Sequence, residues 1–256
     1  MKALILAAGY ATRLYPLTID RPKALLPIGG RPMMNYLCDA LASIDGLHEV
    51  HLVTNHKFEA HFRRWAEEAV REYPDMSFTI WDDGTTSDAD KLGAVGDIQY
   101  VIEKAGLDDD ILVAASDNFF TFPLRLFVDD FRTHGCDTVL AAQFAPKDEH
   151  LLTRFAVATL DEERRVIGLV EKPAVPPTKI GVFALYLYRR DTVPMIREYL
   201  DSGESPDAPG HFPEWLYKRR EVRAYLFDGE CIDIGTPASY EEICARMDRG
   251  ELIPQR

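Results

Sequence analysis

Apolar residues follow two alternating patterns in the first half of the chain. Short and nearly continuous apolar runs have the length and composition of buried strands. The runs that predict these strands are 2–7, 49–54, 77–81 and 111–115. Between them, Phe62, Trp65 and Ala69 recur at helical spacing and predict an amphipathic helix over 58–72. Strands and helices in alternation are typical of a mostly parallel sheet with helices on both faces.

In the second half of the chain, the predicted strands and helices no longer alternate regularly. Two apolar stretches, 155–160 and 166–170, flank a charged turn and predict a β-hairpin. A further strand is predicted over 182–188, and helices are predicted over 123–134, 191–200 and 211–219. We therefore expect an α/β fold with a Rossmann-like, mixed, mostly parallel sheet in a single domain. Its two halves are 1–145 and 146–256.

Composition narrows the classes of function. The 256 residues are 46% hydrophobic and 28% charged, with a formal net charge of −13. A strongly acidic chain is a poor partner for nucleic acid, because binding many phosphates requires a basic surface. No apolar run has the length of a membrane span, and the opening run lacks signal-peptide flanks. The four cysteines form no CxxC pair, which favours reduced thiols and a cytoplasmic location.

Candidate chemistry concentrates after the first strand, in a small-residue loop around Gly9. Such a turn presents several main-chain N–H groups that can surround phosphate oxygens. Arg13 and Lys23 add a planar guanidinium and a mobile ammonium, and a triphosphate is the natural ligand. The plainer alternative is an ordinary strand-to-helix turn with surface cations. The spacing excludes both the P-loop and the GxGxxG dinucleotide motif.

The runs AAGYATRLYPLT and RPKALLP resemble the signature of nucleotidylyltransferases that join a nucleoside triphosphate to a sugar 1-phosphate. That family carries GxGxRL and KxLLP, and Ala11 stands here for its second glycine. The resemblance implies the nucleotide-diphospho-sugar transferase fold, with 1–145 as the nucleotide-binding half. It implies catalytic roles for Arg13 and Lys23. The implied nucleotide contacts in this loop are Leu6, Ala8, Gly9, Tyr10, Ala11 and Thr12.

A polar loop follows the third predicted strand, where ligands sit in open α/β sheets. In the resembled family this segment lines the nucleoside pocket. Gly93 is then the candidate for close approach to the base, with Asp83, Thr85 and Thr86 as its readers. The alternative is a solvated loop with a helix that begins at Gly93.

Two aspartates are candidate ligands of Mg²⁺. Asp117 follows the central strand 111–115, and its alternative role is to cap a helix, although Pro123 is the better start for that helix. Asp233 lies between two isoleucines, a costly place for a carboxylate unless it is paired or binds a metal. The family has glycine where Ser116 stands and tryptophan where Cys231 stands.

The resemblance also assigns the second substrate. In the run Glu171-Lys172-Pro173, the lysine would bind the sugar phosphate and the glutamate would face sugar hydroxyls, with Asn118 as a further contact. The half 146–256 would then hold the sugar phosphate, and no C-terminal repeat domain is expected. Ala184 stands where the family often has glycine, which leaves the sugar open.

The implied reaction is a displacement at the α-phosphorus that yields a nucleotide sugar and pyrophosphate. Phosphate monoesters are mostly dianionic at neutral pH, so no catalytic histidine is required. The alternatives are a cytidylyltransferase for phosphocholine or a related alcohol phosphate, a glycosyltransferase, and an inactive nucleotide-binding regulator. An aromatic cage would mark the cytidylyltransferase, and Tyr186 and Tyr188 are either members of such a cage or core residues. A glycosyltransferase would show DxD, which Asp117-Asn118-Phe119 lacks, and a regulator would have lost a cation or an aspartate. The base and the oligomeric state, homo-oligomer included, remain open.

Overall fold

The structure is a computed structural model that describes residues 1–252, and for Asp233 it describes the main chain alone. Thirteen strands and seven α-helices are present in this part of the chain. The strands are β1 Lys2–Leu6, β2 Pro27–Ile28, β3 Arg31–Pro32, β4 Glu49–Thr54, β5 Ser77–Asp82, β6 Ile111–Ala115, β7 Asn118–Phe120, β8 Asp137–Gln143, β9 Ala156–Leu160, β10 Val166–Val170, β11 Ile180–Tyr188, β12 Val222–Leu226 and β13 Cys231–Asp233. The helices are α1 Met33–Ala42, α2 Glu59–Glu72, α3 Ala94–Ala105, α4 Leu124–His134, α5 Met195–Asp201, α6 His211–Leu216 and α7 Pro237–Asp248.

The chain divides into two compact units that interleave in sequence. The first unit contains Met1–Lys91, Ala114–Arg125 and the segment that begins at Gly229. The second unit contains Leu92–Val113 and Leu126–Asp228. Each unit has its own set of paired strands, and the two sets differ in strand direction. The predicted α/β class with a mixed sheet is confirmed.

The first unit is built on parallel strands. β4 lies between β1 and β5 and runs parallel to both, with Leu6 opposite Val53 and Thr54 opposite Asp82. Helix α2 buries Phe62, Trp65 and Ala69, as the spacing predicted. Because parallel strands end at the same edge, the loops that follow β1, β4 and β5 lie side by side.

A second apolar cluster in the first unit fixes the segment that carries Asp233. β13 pairs with β7 in antiparallel register, so that Asp233 is opposite Asn118 along the main chain. Residues from β2, α1, β7 and α7 pack together beneath this pair. The buried members are Ile28, Met33, Tyr36, Phe119, Ile234, Ile243 and Leu252. This packing brings a segment from near the end of the chain next to Asp117.

The second unit is mixed. β8 pairs with β11 in antiparallel register and with β12 in parallel register. β9 and β10 form the predicted antiparallel hairpin, and β9 also pairs with β11. Three predicted helices are shorter in the structure, since α4 begins at Leu124, α5 at Met195, and α6 ends at Leu216. No helix in residues 1–252 combines the length and the apolar character that crossing a bilayer requires.

Candidate active site

The signature loop follows β1 in the first unit. The β1–β4 ladder continues by one bond beyond the strand, from Ala7 N–H to the Val53 carbonyl at 2.9 Å. The chain then turns outward at Gly9, which is exposed. Ala11 adopts the left-handed conformation, with φ 49° and ψ 40°. This is the position where the resembled family has glycine, and the left-handed backbone explains that preference.

Arg13 lies in a short 3-10 turn, Thr12–Leu14, directly after Ala11. Its side chain is exposed, whereas Leu14 is buried and anchors the turn. Within residues 1–252 the Arg13 guanidinium makes no hydrogen bond or ion pair. A cation held this way on an ordered turn is available to an anionic ligand.

Lys23 and Asp117 meet directly. Their side chains form an ion pair with 2.5 Å between Nζ and Oδ2. The lysine side chain is 14% exposed and the aspartate side chain 29% exposed, so the carboxylate is the more open member. These two residues are 94 positions apart in sequence, and the fold brings their side chains together.

Asp117 lies at the edge where β1 ends. It follows Ser116, whose N–H donates to the Leu6 carbonyl at 3.0 Å, and it precedes Asn118, which is buried. No helix begins at Asp117, so the capping alternative is wrong and the following helix α4 begins at Leu124. Across the β7–β13 pair the Asp233 main chain is opposite Asn118, while the Asp233 side chain lies outside the described part of the structure.

Carboxylate oxygen at this edge suits a hard divalent cation. Asp117 supplies one partly exposed carboxylate. The pairing of β7 with β13 places the main chain of Asp233 opposite Asn118, the residue that follows Asp117. Among the described side chains no group of three or more His, Cys, Asp and Glu residues is close enough to hold a metal.

Hydrogen bonds between its own residues hold the loop that follows β5. Asp83 Oδ1 accepts hydrogen bonds from the Thr85 N–H and hydroxyl, both at 2.7 Å, and Thr85 is 4% exposed. The Thr85 hydroxyl also lies near Tyr10, where it lowers the pKa of that phenol against the larger effect of burial, which raises it. Asp83, Thr85 and Tyr10 are thus neighbours, as a common nucleotide pocket requires. Thr86 is exposed and bonds instead to Asp90.

Gly93 precedes α3 in the second unit and packs tightly against Pro206 and Asp207 of the same unit. A Cβ at this position would lie 2.5 Å from the Pro206 carbonyl oxygen, and its φ is +80°. The N–H groups of Ala94 and Val95 donate to the carbonyls of Asp207 and Pro206. Internal packing is therefore sufficient to explain a glycine here. Its predicted approach to a base stays a prediction.

Glu171 and Lys172 follow the hairpin strand β10 in the second unit. Lys172 Nζ is 3.3 Å from Glu171 Oε1, with the lysine side chain 55% exposed and the glutamate side chain 7% exposed. The carboxylate lies against Gly210, where any Cβ would overlap Oε2. Lys172 has φ 44°, and its N–H donates to the Phe155 carbonyl at 3.2 Å. The backbone is thus fixed while the ammonium is left open.

Tyr186 and Tyr188 do not form an open cage. They are 2% and 0% exposed, and their rings stack with centroids 5.9 Å apart. Burial raises the pKa of both phenols well above the ordinary value. These tyrosines belong to the core of the second unit and offer no surface to a quaternary ammonium.

Sequence reasoning assigned no role to two buried polar residues, Thr18, which ends the AAGYATRLYPLT run, and Asn55. Both are 0% exposed, and each donates to a main-chain carbonyl of the loop. The available signal was an Asn directly after the strand β4 and a Thr after Pro16-Leu17. Neither residue carries a charge, so a search for phosphate-binding cations passes over them.

Comparison with known proteins is consistent with this geometry. A family model described as nucleotidyl transferase matches residues 2–249. A UTP–glucose-1-phosphate uridylyltransferase from Synechocystis sp. is 27% identical over 248 residues, covering 94% of this chain and 61% of that protein. A UTP–glucose-1-phosphate uridylyltransferase from Haloferax volcanii is 24% identical over 248 residues and is matched over 96% of each chain.

Among solved structures, one from Bacillus anthracis, assigned as a glucose-1-phosphate thymidylyltransferase and crystallised with a sucrose, superposes with a TM-score of 0.82. It is 25% identical in sequence, and the match covers 96% of this chain and 94% of that one. The chain spans 62%, 61% and 58% of the length of three of the curated relatives that it matches.

Proposed function

Because the chain belongs to the nucleotidyl transferase family, we propose that it joins a nucleoside triphosphate to a sugar 1-phosphate and releases pyrophosphate. The observation that carries this proposal is the Lys23–Asp117 ion pair, at the edge where the signature loop leaves β1. A lysine and a carboxylate next to a turn of main-chain donors are the groups that a triphosphate with its cation requires.

In the proposed reaction, an oxygen of the sugar phosphate attacks the α-phosphorus of the triphosphate. The bond from that phosphorus to the bridging oxygen of the β-phosphate breaks, and pyrophosphate leaves with the electron pair. The attacking phosphate is largely dianionic at neutral pH, so the chain need not remove a proton from it. Position and positive charge are what the protein supplies. Arg13 would contact the departing phosphates and Lys23 the phosphates near the reaction centre.

Mg²⁺ is proposed as the cofactor, with Asp117 and Asp233 as its protein ligands. The donor set fits, because carboxylate and phosphate oxygens are the ligands that this cation prefers. When bound, it would neutralise charge on the phosphate oxygens. Lys23 would keep the Asp117 carboxylate oriented through their ion pair, whose atoms are 2.5 Å apart.

The acceptor is proposed to bind through Lys172 and Glu171. The exposed ammonium would hold the incoming phosphate, and the mostly buried carboxylate would meet sugar hydroxyls. The named relatives use UTP, and the Bacillus anthracis protein is assigned to thymidine chemistry, so they support the class and leave the base open. A cytoplasmic location is proposed with it, since that compartment holds the nucleotide and keeps the four free thiols reduced.

A pyrophosphate-release assay tests the proposal. The protein is incubated with Mg²⁺, each of the common nucleoside triphosphates, and one acceptor, which is glucose, mannose or galactose 1-phosphate or phosphocholine. Turnover with at least one pair is expected, together with a new nucleotide sugar by chromatography. Turnover confined to phosphocholine, or none with any pair, would reject the proposed acceptor class.

Arg13→Ala links the activity to the loop. Because this guanidinium makes no contact that supports the fold, the variant should keep the melting temperature while kcat/KM falls by about 10²- to 10³-fold. Arg64→Ala removes an exposed arginine from α2 and is the matched control. Equal activity in the two variants would remove the phosphate role of Arg13.

A further inference from the structure

Two buried side chains hold the signature loop at both ends. Asn55 follows β4, and its Nδ2 donates to the Ala8 carbonyl at 2.8 Å. Thr18 Oγ1 donates to the Ala11 carbonyl, also at 2.8 Å. Neither Asn55 nor Thr18 has measurable exposure to solvent. The donor of each bond is therefore shielded from water, which strengthens the bond.

Holding a carbonyl also fixes the N–H of the next residue. The peptide unit is planar and trans, so its C=O and N–H groups point in opposite directions. When Asn55 holds the Ala8 carbonyl, the Gly9 N–H must point away from β4. In the same way, the bond from Thr18 to Ala11 orients the Thr12 N–H.

The oriented N–H groups form no hydrogen bond within the described part of the protein. In the described part of the chain, the N–H groups of Gly9 and Thr12 donate to no acceptor, while Leu14 N–H already bonds to the Ala11 carbonyl. Gly9 and Thr12 are also exposed. Ordered, unpaired main-chain donors at the end of a strand form an anion-binding concavity.

We propose that Asn55 and Thr18 are positioning residues, which hold the Gly9 and Thr12 N–H groups in the orientation that binds the phosphate chain of the triphosphate. This inference rests on the proposed function and adds two residues that hold the segment 8–12 without belonging to it. Preorganised donors bind more tightly, because the ligand need not order the loop. The effect is independent of the base, since neither residue reaches beyond the loop main chain.

A purely structural role is the competing explanation. Asn55 also caps the turn that follows it, because its Oδ1 accepts from Phe58 N–H at 3.2 Å. Thr18 could likewise serve stability alone. A comparison that separates binding from stability is therefore required.

The test uses the full chain and measures the Kd of inorganic tripolyphosphate and of UTP by calorimetry, with melting temperatures alongside. Thr18→Val removes the hydroxyl at nearly constant volume and should raise both Kd values by about 5- to 10-fold. Thr18→Ser keeps the hydroxyl and should bind within about twofold of the parent. Asn55→Ser keeps an acceptor for Phe58 and loses the reach to Ala8, so it should weaken both ligands similarly.

Thr138→Val is the matched control. Thr138 is also 0% exposed and donates to a main-chain carbonyl, that of Cys136, at 3.0 Å in the second unit. It should lower the melting temperature about as much as Thr18→Val and leave both Kd values unchanged. If Thr18→Val and Asn55→Ser bind like Thr138→Val, the positioning role is overturned.

The two proposals fail in different ways. If the parent protein binds tripolyphosphate and the variants weaken it, but no nucleotide sugar forms, the positioning role stands and the proposed reaction is rejected. If the parent binds neither tripolyphosphate nor UTP, the positioning role is rejected as well. Should Thr18→Val fail to fold, Asn55→Ser against Thr138→Val gives the same decision.

Discussion

Each unit contains a candidate site lysine that is paired with a carboxylate, Lys23 with Asp117 and Lys172 with Glu171, and the two pairs are arranged in opposite ways. In the first unit the lysine is the covered member, with Lys23 14% and Asp117 29% exposed. In the second unit the carboxylate is covered, with Glu171 7% and Lys172 55% exposed. The group left open is thus an oxygen ligand in one unit and a cation in the other.

This difference indicates what each unit can bind. An exposed carboxylate that is also paired with a buried lysine can bind a divalent cation and keep its orientation. An exposed lysine that is also paired with a buried carboxylate attracts a phosphate and is restrained in position by the pair. Counting charges in the sequence would treat the two pairs as equal. The burial of each member is what distinguishes a cation site from an anion site.

Asp117→Asn should produce the largest effect. The change keeps the side-chain shape but removes the partly exposed charge of the ion pair with Lys23. We expect kcat to fall by about 10³-fold and the Mg²⁺ concentration for half-maximal rate to rise. Steady-state pyrophosphate release across a Mg²⁺ titration measures both quantities. Asp20→Asn changes an exposed aspartate of the same unit and should have no effect on either.

Lys172→Met tests the opposite arrangement. The methionine keeps the length of the side chain and removes the exposed ammonium. We expect the KM for the sugar phosphate to rise by about 10- to 100-fold, while the Kd for the triphosphate stays the same. Lys218→Met, at an exposed lysine of the same unit, is the control. A rise in the triphosphate Kd with no change in the sugar phosphate KM would reverse the assignment of the two units.

The sequence predicted the strands and the amphipathic helices well, because the periodicity of α2 and the apolar run of β6 leave little choice. It also predicted that Asp117 would follow a buried strand. It could not show that Lys23 is the more buried member of its pair with Asp117, since exposure depends on long-range packing. The strand β13 was missed because its three residues pair with β7 from a distant part of the chain. Asn55 and Thr18 were missed because uncharged residues give no local sign of the carbonyl they hold.

Each unit has a candidate site residue with positive φ, Ala11 in the first unit and Gly93 in the second. Gly93→Ala tests the second unit. The new Cβ would lie 2.5 Å from the Pro206 carbonyl oxygen at φ +80°. We expect the free energy of unfolding to fall by about 2–4 kcal/mol, with a matching drop in melting temperature. Gly106→Ala has φ +61° and nothing within 4 Å, so it should cost only about 1 kcal/mol.

The same variant decides between two roles for Gly93. If the glycine serves packing alone, Gly93→Ala should leave the ratio of the Kd values for UTP and ATP unchanged. A changed ratio at normal stability would instead support the predicted approach to a base. Calorimetric titration of both nucleotides on the same preparation gives the answer.

Ala11→Gly tests the first unit and should have the smallest effect. Ala11 has φ 49° and ψ 40°, a conformation that costs an L-residue about 1–2 kcal/mol and a glycine almost nothing. The added freedom of glycine in the unfolded chain offsets about 0.4–1 kcal/mol of that relief. We therefore expect a net gain of about 0–1.6 kcal/mol in the free energy of unfolding and an unchanged kcat/KM. A loss of activity in Ala11→Gly would mean that the methyl group itself contacts the ligand, and the left-handed backbone would then not be the reason this position favours glycine.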